Sequence, residues 1–503
     1  VAAQNGTLVV LACAAGALVV GCAVGPNYHR PQTPPSEGYA PTPLPAATEE
    51  AEGVTQSFSV GRDISADWWR LFKSPALDAL IESSFRANPS IDSALAALKQ
   101  AQENVYAQRG FFFPTLQAGY TFQRNKLPGN TATSSAPGVQ GNGEDLAPSA
   151  PTQPLTYNFH TSELTVGFVP DVFGGTRRQY ESVKAQAHAA RYQLEAAYVT
   201  LASNVVAAAL QEAATRAQIA AVEALVASNT RALEILQSQL RLGYAARLDV
   251  AAQEAALAQA QSQLPPLRKQ LEQTRDLLRI LAGNAPDHDI PETFELEALH
   301  LPDALPLSLP SRLIEQRPDV RSAEEQVHAA SAQVGVAVAN RLPQFLITGD
   351  YGGQATNFSQ MFWSSGTFWD LIGNVSQSIF DGGTLRHRQH AAEQALVESA
   401  AQYRLTVLTA FQDVADTLHA LYADADALEA AANAQKAARV TLDLTTEQQR
   451  SGYIDYLTLL LAQQAYQQAT IGLIQARVTR LGDTAALFQA LGGGWWNRPS
   501  PSS

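Results

Sequence analysis

Cysteine is almost absent from this 503-residue chain: Cys13 and Cys22 are the only two. From residue 23 onward a disulfide framework or a thiolate metal site is excluded. Met361 is the single methionine, so no methionine-lined path for soft metal ions exists. Charged residues make up only 16% and sum to -13, a sign that disfavours nucleic acid as a partner. After the N-terminal run Leu8 to Val20 no stretch reaches about 18 uninterrupted apolar residues, so no later segment reads as a transmembrane helix. A spanning role would have to fall to strands closed into a barrel. Catalytic signatures are missing too. Serine and histidine occur without a GxSxG elbow, and Gly492-Gly493-Gly494 lacks the following Lys-Ser/Thr of a phosphate loop. His387 and His390 lie three apart with no carboxylate or cysteine cluster nearby, which reads as a solvated helical face and not a metal site. No cofactor and no enzymatic activity are expected.

What is present is 46% hydrophobic and strongly patterned, which argues for a folded chain. The run Leu8 to Val20 suits a signal-peptide core, giving a signal peptide over 1–21. The small residues before Cys22 look like a lipoprotein processing site, at which Cys22 would become the acylated first residue. The same stretch also fits an ordinary signal peptide with a chance cysteine. Residues 22–60, rich in Pro, Thr and Ala, read as an extended tether, with folded structure starting near Trp68-Trp69.

The body of the chain is a duplication. Asn88-Pro89-Ser90-Ile91 matches Arg317-Pro318-Asp319-Val320, and Pro114 matches Pro343, both at an offset of 229. Gly174-Gly175-Thr176 matches Gly382-Gly383-Thr384 at 208, Gly243-Tyr244 matches Gly452-Tyr453 at 209, and Gly283 matches Gly492 at 209. The first copy thus holds 21 extra residues between Pro114 and Gly174, inside the polar stretch Asn125 to His160, where a solvent-exposed loop tolerates insertion. A repeat of this length is a duplicated domain, not a short solenoid unit.

Each copy reads helix, strand, loop, strand, long helix, tight turn, helix. Repeat one covers 61–300, with strands about 114–123 and 161–172 and helices about 89–110, 177–242 and 248–281. Repeat two covers 301–494, with strands about 344–352 and 368–380 and helices about 318–340, 385–450 and 457–490; a tail follows over 495–503. Leu116, Ala118, Tyr120 and Phe122 alternate with polar residues, as do Leu164, Val166 and Phe168, the period-two pattern of barrel strands. The second copy offers Phe345, Ile347 and Tyr351, then Trp369, Leu371 and Val375. Arg177 to Leu242 holds no Pro or Gly; as one helix it would be roughly 100 Å long. Its residues Ile219, Val222, Val226, Asn229, Leu233, Leu236 and Leu240 step by three and four, a heptad seam. Leu257, Leu264, Leu271 and Leu278 carry the seam of the return helix, paired with Ala260, Leu267, Thr274 and Leu281. Pro265-Pro266 should bend that helix without ending it. Asp171 and Asp381 stand where a negative charge stabilises a helix N-terminus, and Trp495-Trp496 fits either an interfacial anchor or a packed tail.

Four strands per chain cannot close a membrane barrel, for which about eight is the minimum, so other subunits must complete it; three chains would supply twelve strands.

Taken in order, these pieces resemble the outer membrane factor family of TolC-like efflux proteins, in particular its NodT-type lipoproteins. The resemblance rests on Cys22-Ala23-Val24-Gly25-Pro26-Asn27-Tyr28, Trp68-Trp69 with Phe72 and Leu77, RPDVRSAEEQVHAA from Arg317, SIFDGGTLR from Ser378, and the turns at Gly243 and Gly452. It covers Cys22 to about Gly494. It implies a mainly α fold with a β-barrel. Four strands per chain would build a trimeric 12-stranded barrel in the outer membrane of a Gram-negative bacterium, and a long coiled-coil helical barrel would cross the periplasm. The implied partners are two further copies, a periplasmic adaptor protein, an inner-membrane pump and outer-membrane lipid. By the same resemblance Gly243, Tyr244, Gly452 and Tyr453 form the periplasmic tip and docking surface, and Leu457 aligns with a constriction position. Where relatives carry an aspartate four residues on, this chain has Leu461, and Gln464 replaces a paired arginine; Asp455 lies nearby. An uncharged constriction gating by dewetting is the better expectation, with ordinary coiled-coil packing the alternative for Leu457 and Leu461. The function implied is a passive exit duct for small molecules such as drugs, toxic compounds or metals. The alternatives are an exit duct for polypeptides and, from another class, a periplasmic coiled-coil scaffold.

Overall fold

The computed structural model describes residues 23–34, 38–42, 45–127 and 155–498. The expected signal peptide and Cys22 fall outside the described residues, as do 128–154 of the polar loop. In chain order the elements are β1 (Ser57–Val60), α1 (Pro75–Ala87), α2 (Pro89–Gly110), β2 (Thr115–Leu127), β3 (Leu155–Phe168), α3 (Gly175–Arg241), α4 (Arg247–Leu281), β4 (Ala304–Leu307), α5 (Pro310–Gln316), α6 (Pro318–Ala339), β5 (Gln344–Ala355), β6 (Thr367–Ser376), α7 (Thr384–Arg450) and α8 (Tyr456–Ala490). They gather into two compact units that each draw on both copies of the repeat. One comprises Val1–His29, Gln102–Lys184 and His328–Val397, and the other the remaining segments.

The first unit holds a four-stranded antiparallel sheet in the order β2-β3-β5-β6. The strands differ from the sequence expectation at their ends, for identifiable reasons. The first hairpin runs further into the loop because the polar residues Arg124 and Lys126 keep ladder partners in Asn158 and Thr156. β3 stops at Phe168 and not near 172: Pro170 has no N–H to give a ladder, and Asp171 turns instead to the start of α3. β6 ends at Ser376, short of 380, because its partner Gln344 is the first residue of β5. At the sheet-to-helix junctions Asp171 accepts from the N–H groups of Thr176 (2.9 Å) and Arg177 (3.0 Å). Asp381 accepts from Gly383 (2.8 Å) and Leu385 (2.9 Å). These carboxylates satisfy otherwise orphaned helix donors, and the backbone donors hold Asp381 below the usual carboxylate range.

The second unit is helical. In α3 the heptad positions Val222, Asn229 and Leu236 are buried, and their paired positions are half-buried. α4 returns antiparallel: Arg268 reaches Glu223 at 2.9 Å, and Gln253 donates to the Asn229 carbonyl at 2.7 Å. The leucines Leu257, Leu264 and Leu271 are only half-buried, while Leu278 of the same seam is fully buried together with Gln253, Ala260 and Thr274. The cause is that α4 packs on two helices at once, α3 and α8, so its seam is shared between them. α4 passes through Pro265-Pro266 unbroken; Gln467 to Gln263 (2.8 Å) and Arg268 to Glu223 tie it on either side. Arg275 is almost fully buried and pairs with the buried Glu212 (3.0 Å) and with Asp289 (2.7 Å), which the two arginines Arg275 and Arg279 hold down to a pKa of about 2. Stripping one partner from such a pair costs more than the pair contributes.

The tether expectation needs correction. Gln56 is fully buried, donates to the Pro302 carbonyl and accepts from Arg480. β1 pairs in parallel with β4, Ser57 opposite Ala304. Folded structure therefore starts well before Trp68. A four-residue strand whose partner lies about 247 residues on, in the second copy, has no local signature in a Pro- and Thr-rich stretch. Trp495 and Trp496 form a packed tail, donating to the Gln316 carbonyl (2.6 Å) and to Asp63 (2.9 Å).

One pair of groups makes stability depend on pH. Asp424 on α7 lies near Asp483 on α8, and burial, then this carboxyl neighbour, push its pKa from 3.8 to about 7. Between those values the folded state binds a proton that the unfolded chain has lost. The stabilisation is complete below about pH 4 and disappears as pH rises to about 7. Thermal midpoints of the detergent-extracted protein, compared with those of Asp424→Asn, should differ by a pH-dependent amount. The wild type is expected to lose a few degrees relative to the variant between pH 5 and pH 8. A constant difference across that range would mean the pair shares no proton.

Candidate conduction path and helical tips

The sheet sorts its side chains by face. The ladder places Leu116, Tyr120, Phe122, Leu164, Val166, Ile347, Tyr351, Trp369, Leu371 and Val375 on one side, and nearly all are well exposed. The other side carries Gln117, Thr121, Gln123, Glu163, Thr165, Asp350, Asp370 and Asn374, with apolar exceptions that include Tyr157, Phe159, Leu346, Phe368 and Ile372. On this polar face Asp350 stands directly opposite Asp370, and the Thr165 hydroxyl donates to Asp350. Like charges directly opposite destabilise a sheet, so the pair is a local cost. The sequence expectation did not single these acids out. Strand parity alone would have put them on one face, but the β3–β5 register that brings Thr165 to Asp350 spans 185 residues.

At the far ends of the hairpins the two turns are built alike. Gly243 has φ +80 and Gly452 φ +77, the left-handed conformation that favours glycine. Gly243 N–H bonds Leu240 O (3.0 Å) and Tyr244 N–H bonds Gln239 O (2.8 Å). Gly452 bonds Gln449 O (3.0 Å) and Tyr453 bonds Gln448 O (3.0 Å). Both are Schellman closures. They leave Tyr244 and Tyr453 more than four-fifths exposed. The next helices start differently. In the first copy Asp249 reaches back to the N–H of Ala246 (3.1 Å). In the second, Asp455 is itself the cap, accepting from Thr458 N–H at 2.9 Å, and the Thr458 bonds hold its carboxyl below the usual range. Asp455 is thus ionised and committed to the helix start.

The structure brings the two hairpins together just behind these turns. Leu236, Val250, Tyr456, Leu459 and Leu460 form one apolar cluster, crossed by the Tyr456 hydroxyl donating to Gln253 Oε1 at 2.7 Å. Leu457 and Leu461 are not part of it. They lie one turn apart on α8, each 58% exposed, and the exposed stripe continues through Gln464 and Gln468. It carries no charge.

A fold of this kind, with a membrane-type sheet and paired helical hairpins, defines the outer membrane efflux channels. The family model for outer membrane efflux proteins matches residues 80–284 and 309–493, and the chain belongs to that family. It is 28% identical over 465 residues to the pyoverdine export outer membrane protein OpmQ of Pseudomonas putida, covering 92% of this chain and 94% of the relative. It is 25% identical over 488 residues to the toluene efflux pump outer membrane protein TtgF of Pseudomonas putida, covering 97% of each. The solved outer-membrane channel OprN superposes with a TM-score of 0.81 at 25% identity, over 94% of this chain and 100% of that one. The chain is a transport protein of the Gram-negative outer membrane, and channels of this family are homotrimers that work in tripartite efflux pumps.

If the polar face of the sheet lines the channel, Asp350 and Asp370, together with Glu163, set its charge. In planar bilayers under a salt gradient, Asp350→Asn with Asp370→Asn is expected to move the reversal potential away from cation preference. An unchanged reversal potential would place charge selection elsewhere.

Proposed function

We propose that three copies of this chain form a passive exit duct for small molecules, closed at its periplasmic end by Leu457 and Leu461. The observation that carries this reading is the open sheet, with one apolar face and unpaired edges at β2 and β6. In hydrocarbon each unsatisfied backbone group costs several kcal/mol, and edge-to-edge closure with neighbouring copies removes the cost. The exposed turns at Gly243–Tyr244 and Gly452–Tyr453 dock the periplasmic adaptor, which connects the duct to an inner-membrane pump. Leucines 457 and 461, exposed on one chain and clear of its apolar cluster, narrow the path by dewetting. Asp455 takes no part, being engaged by Thr458. The names of the relatives, pyoverdine export and toluene efflux, favour small-molecule cargo. Acylation at Cys22 completes the anchor. Support comes from the residues that follow it. Ala23 packs on Gly174, Val24 N–H bonds Phe173 O at 3.0 Å, and Arg178 bonds Val24 O at 3.1 Å and Asn27 at 2.8 Å. These contacts hold the chain beside the sheet-to-helix junction, one residue from the cysteine.

The test is fractionation followed by gel electrophoresis of unboiled and boiled detergent extracts, then conductance. An outer-membrane species that runs as a trimer until boiled is expected. In the same preparation Leu457→Ala should raise single-channel conductance by about twofold by widening a hydrophobic neck. Unchanged conductance in both Leu457→Ala and Leu461→Ala would put the constriction elsewhere, and a soluble monomer would sink the duct.

A further inference from the structure

The sheet separates its charges completely among the described residues. Its three acids, Glu163, Asp350 and Asp370, share the polar face. Its two formal cations, Arg124 and Lys126, share the apolar face with Leu116, Tyr120 and Phe122, and both are exposed. No acid stands on that face in any of the four strands. Closing the barrel joins sheet edges and leaves the faces uncovered, so these cations still point outward in the assembly. A cation on the lipid face costs about 2–4 kcal/mol at the bilayer midplane and roughly 0–1 near the interface, so its position along the strand matters. All four strands join helices at one end, and the hairpin ends Leu127/Leu155 and Ala355/Thr367 lie at the other. Arg124 and Lys126 are at this loop end, the outer-leaflet end of a channel whose helices face the periplasm. Below them Tyr120, Phe122, His160 and Phe358 form an aromatic group, with ring centroids 4.9 to 6.2 Å apart and the Tyr120 hydroxyl 2.8 Å from His160 Nδ1. Aromatic girdles mark the headgroup boundary. The two cations stand just past it, about 7 Å from each other along the strand.

We propose that Arg124 and Lys126 form a binding surface for the phosphate groups of outer-leaflet glycolipid, of the bisphosphorylated glucosamine (lipid A) class. The argument rests on the barrel reading above. It adds a partner that the efflux function does not require: an anionic headgroup that pairs with outward charge, each basic residue near such a surface being worth about a factor of five. The guanidinium of Arg124 can bind a phosphate in two-point fashion and the Lys126 ammonium as a point charge.

The test uses the delipidated detergent-solubilised assembly and native mass spectrometry with added bisphosphorylated lipid A, monophosphorylated lipid A or phosphatidylglycerol. Wild type should retain the bisphosphorylated lipid best, and Arg124→Gln with Lys126→Gln should weaken retention on the order of tenfold. The charge-keeping exchange Arg124→Lys with Lys126→Arg should restore most of it. Equal retention by wild type and the Gln variant would overturn the proposal, as would equal retention of phosphatidylglycerol. Loss of the heat-modified trimer and of conductance in wild type would instead overturn the duct. Intact conductance with unchanged lipid retention would remove the lipid surface alone.

Discussion

Backbone N–H and C=O groups cannot be left bare in hydrocarbon. β2 and β6 each present a full row of them, because the four-stranded sheet ends there. No helix among the described residues is long and apolar enough to cross a membrane. Side chains cannot discharge this requirement, since the missing partners are along the strand. Only another strand satisfies them, and the described residues hold none to spare. In the barrel proposed above, oligomerisation is in this sense a backbone requirement, and the apolar face, the lumenal polarity and the outward cations take their meaning from it.

Duplication lets one solution be used twice and then varied. The Gly243 and Gly452 turns share their conformation and hydrogen bonds, since reversing a long helix in so few residues requires a left-handed closure. The positions that follow diverge. Ala246 occupies the cap site that Asp455 fills in the second copy, and the exposed leucine pair appears on α8. α4 carries Gln253 into the interior, where it bridges Asn229 and Tyr456, so the two hairpins are joined by directional bonds as well as by apolar packing. A carboxylate that caps a helix and a leucine left largely exposed stand two residues apart. Asp455 is held by its own helix, while Leu457 stays outside the apolar cluster behind the turns.

Much of this architecture was legible in the residues. Long stretches without Pro or Gly, stepped by three and four, define the hairpins within a residue or two. Strict alternation marks the strands, and equal offsets between Gly243 and Gly452 or Gly283 and Gly492 reveal the duplication. Local physics writes these features: each depends on neighbours within a few turns or on the pleat. The ends of the strands were less legible, because an Arg or Lys near a strand end is tolerated when the hairpin partner opposite it keeps the ladder going.

Sequence by itself determined the element types, the repeat, the turn glycines and the uncharged stripe at Leu457 and Leu461. Only the tertiary structure decided which distant segments meet. The β3–β5 register puts Asp350 against Thr165 and leaves every strand acid on one face and both cations on the other. The Pro-rich segment before Trp68 proved to be docked, with β1 on β4 and Gln56 buried beside Arg480. The physical reason is the same in both cases. Parity and periodicity fix a side chain's face from its neighbours. Its partner is chosen by packing and hydrogen bonding across the whole unit, between residues that share no local pattern.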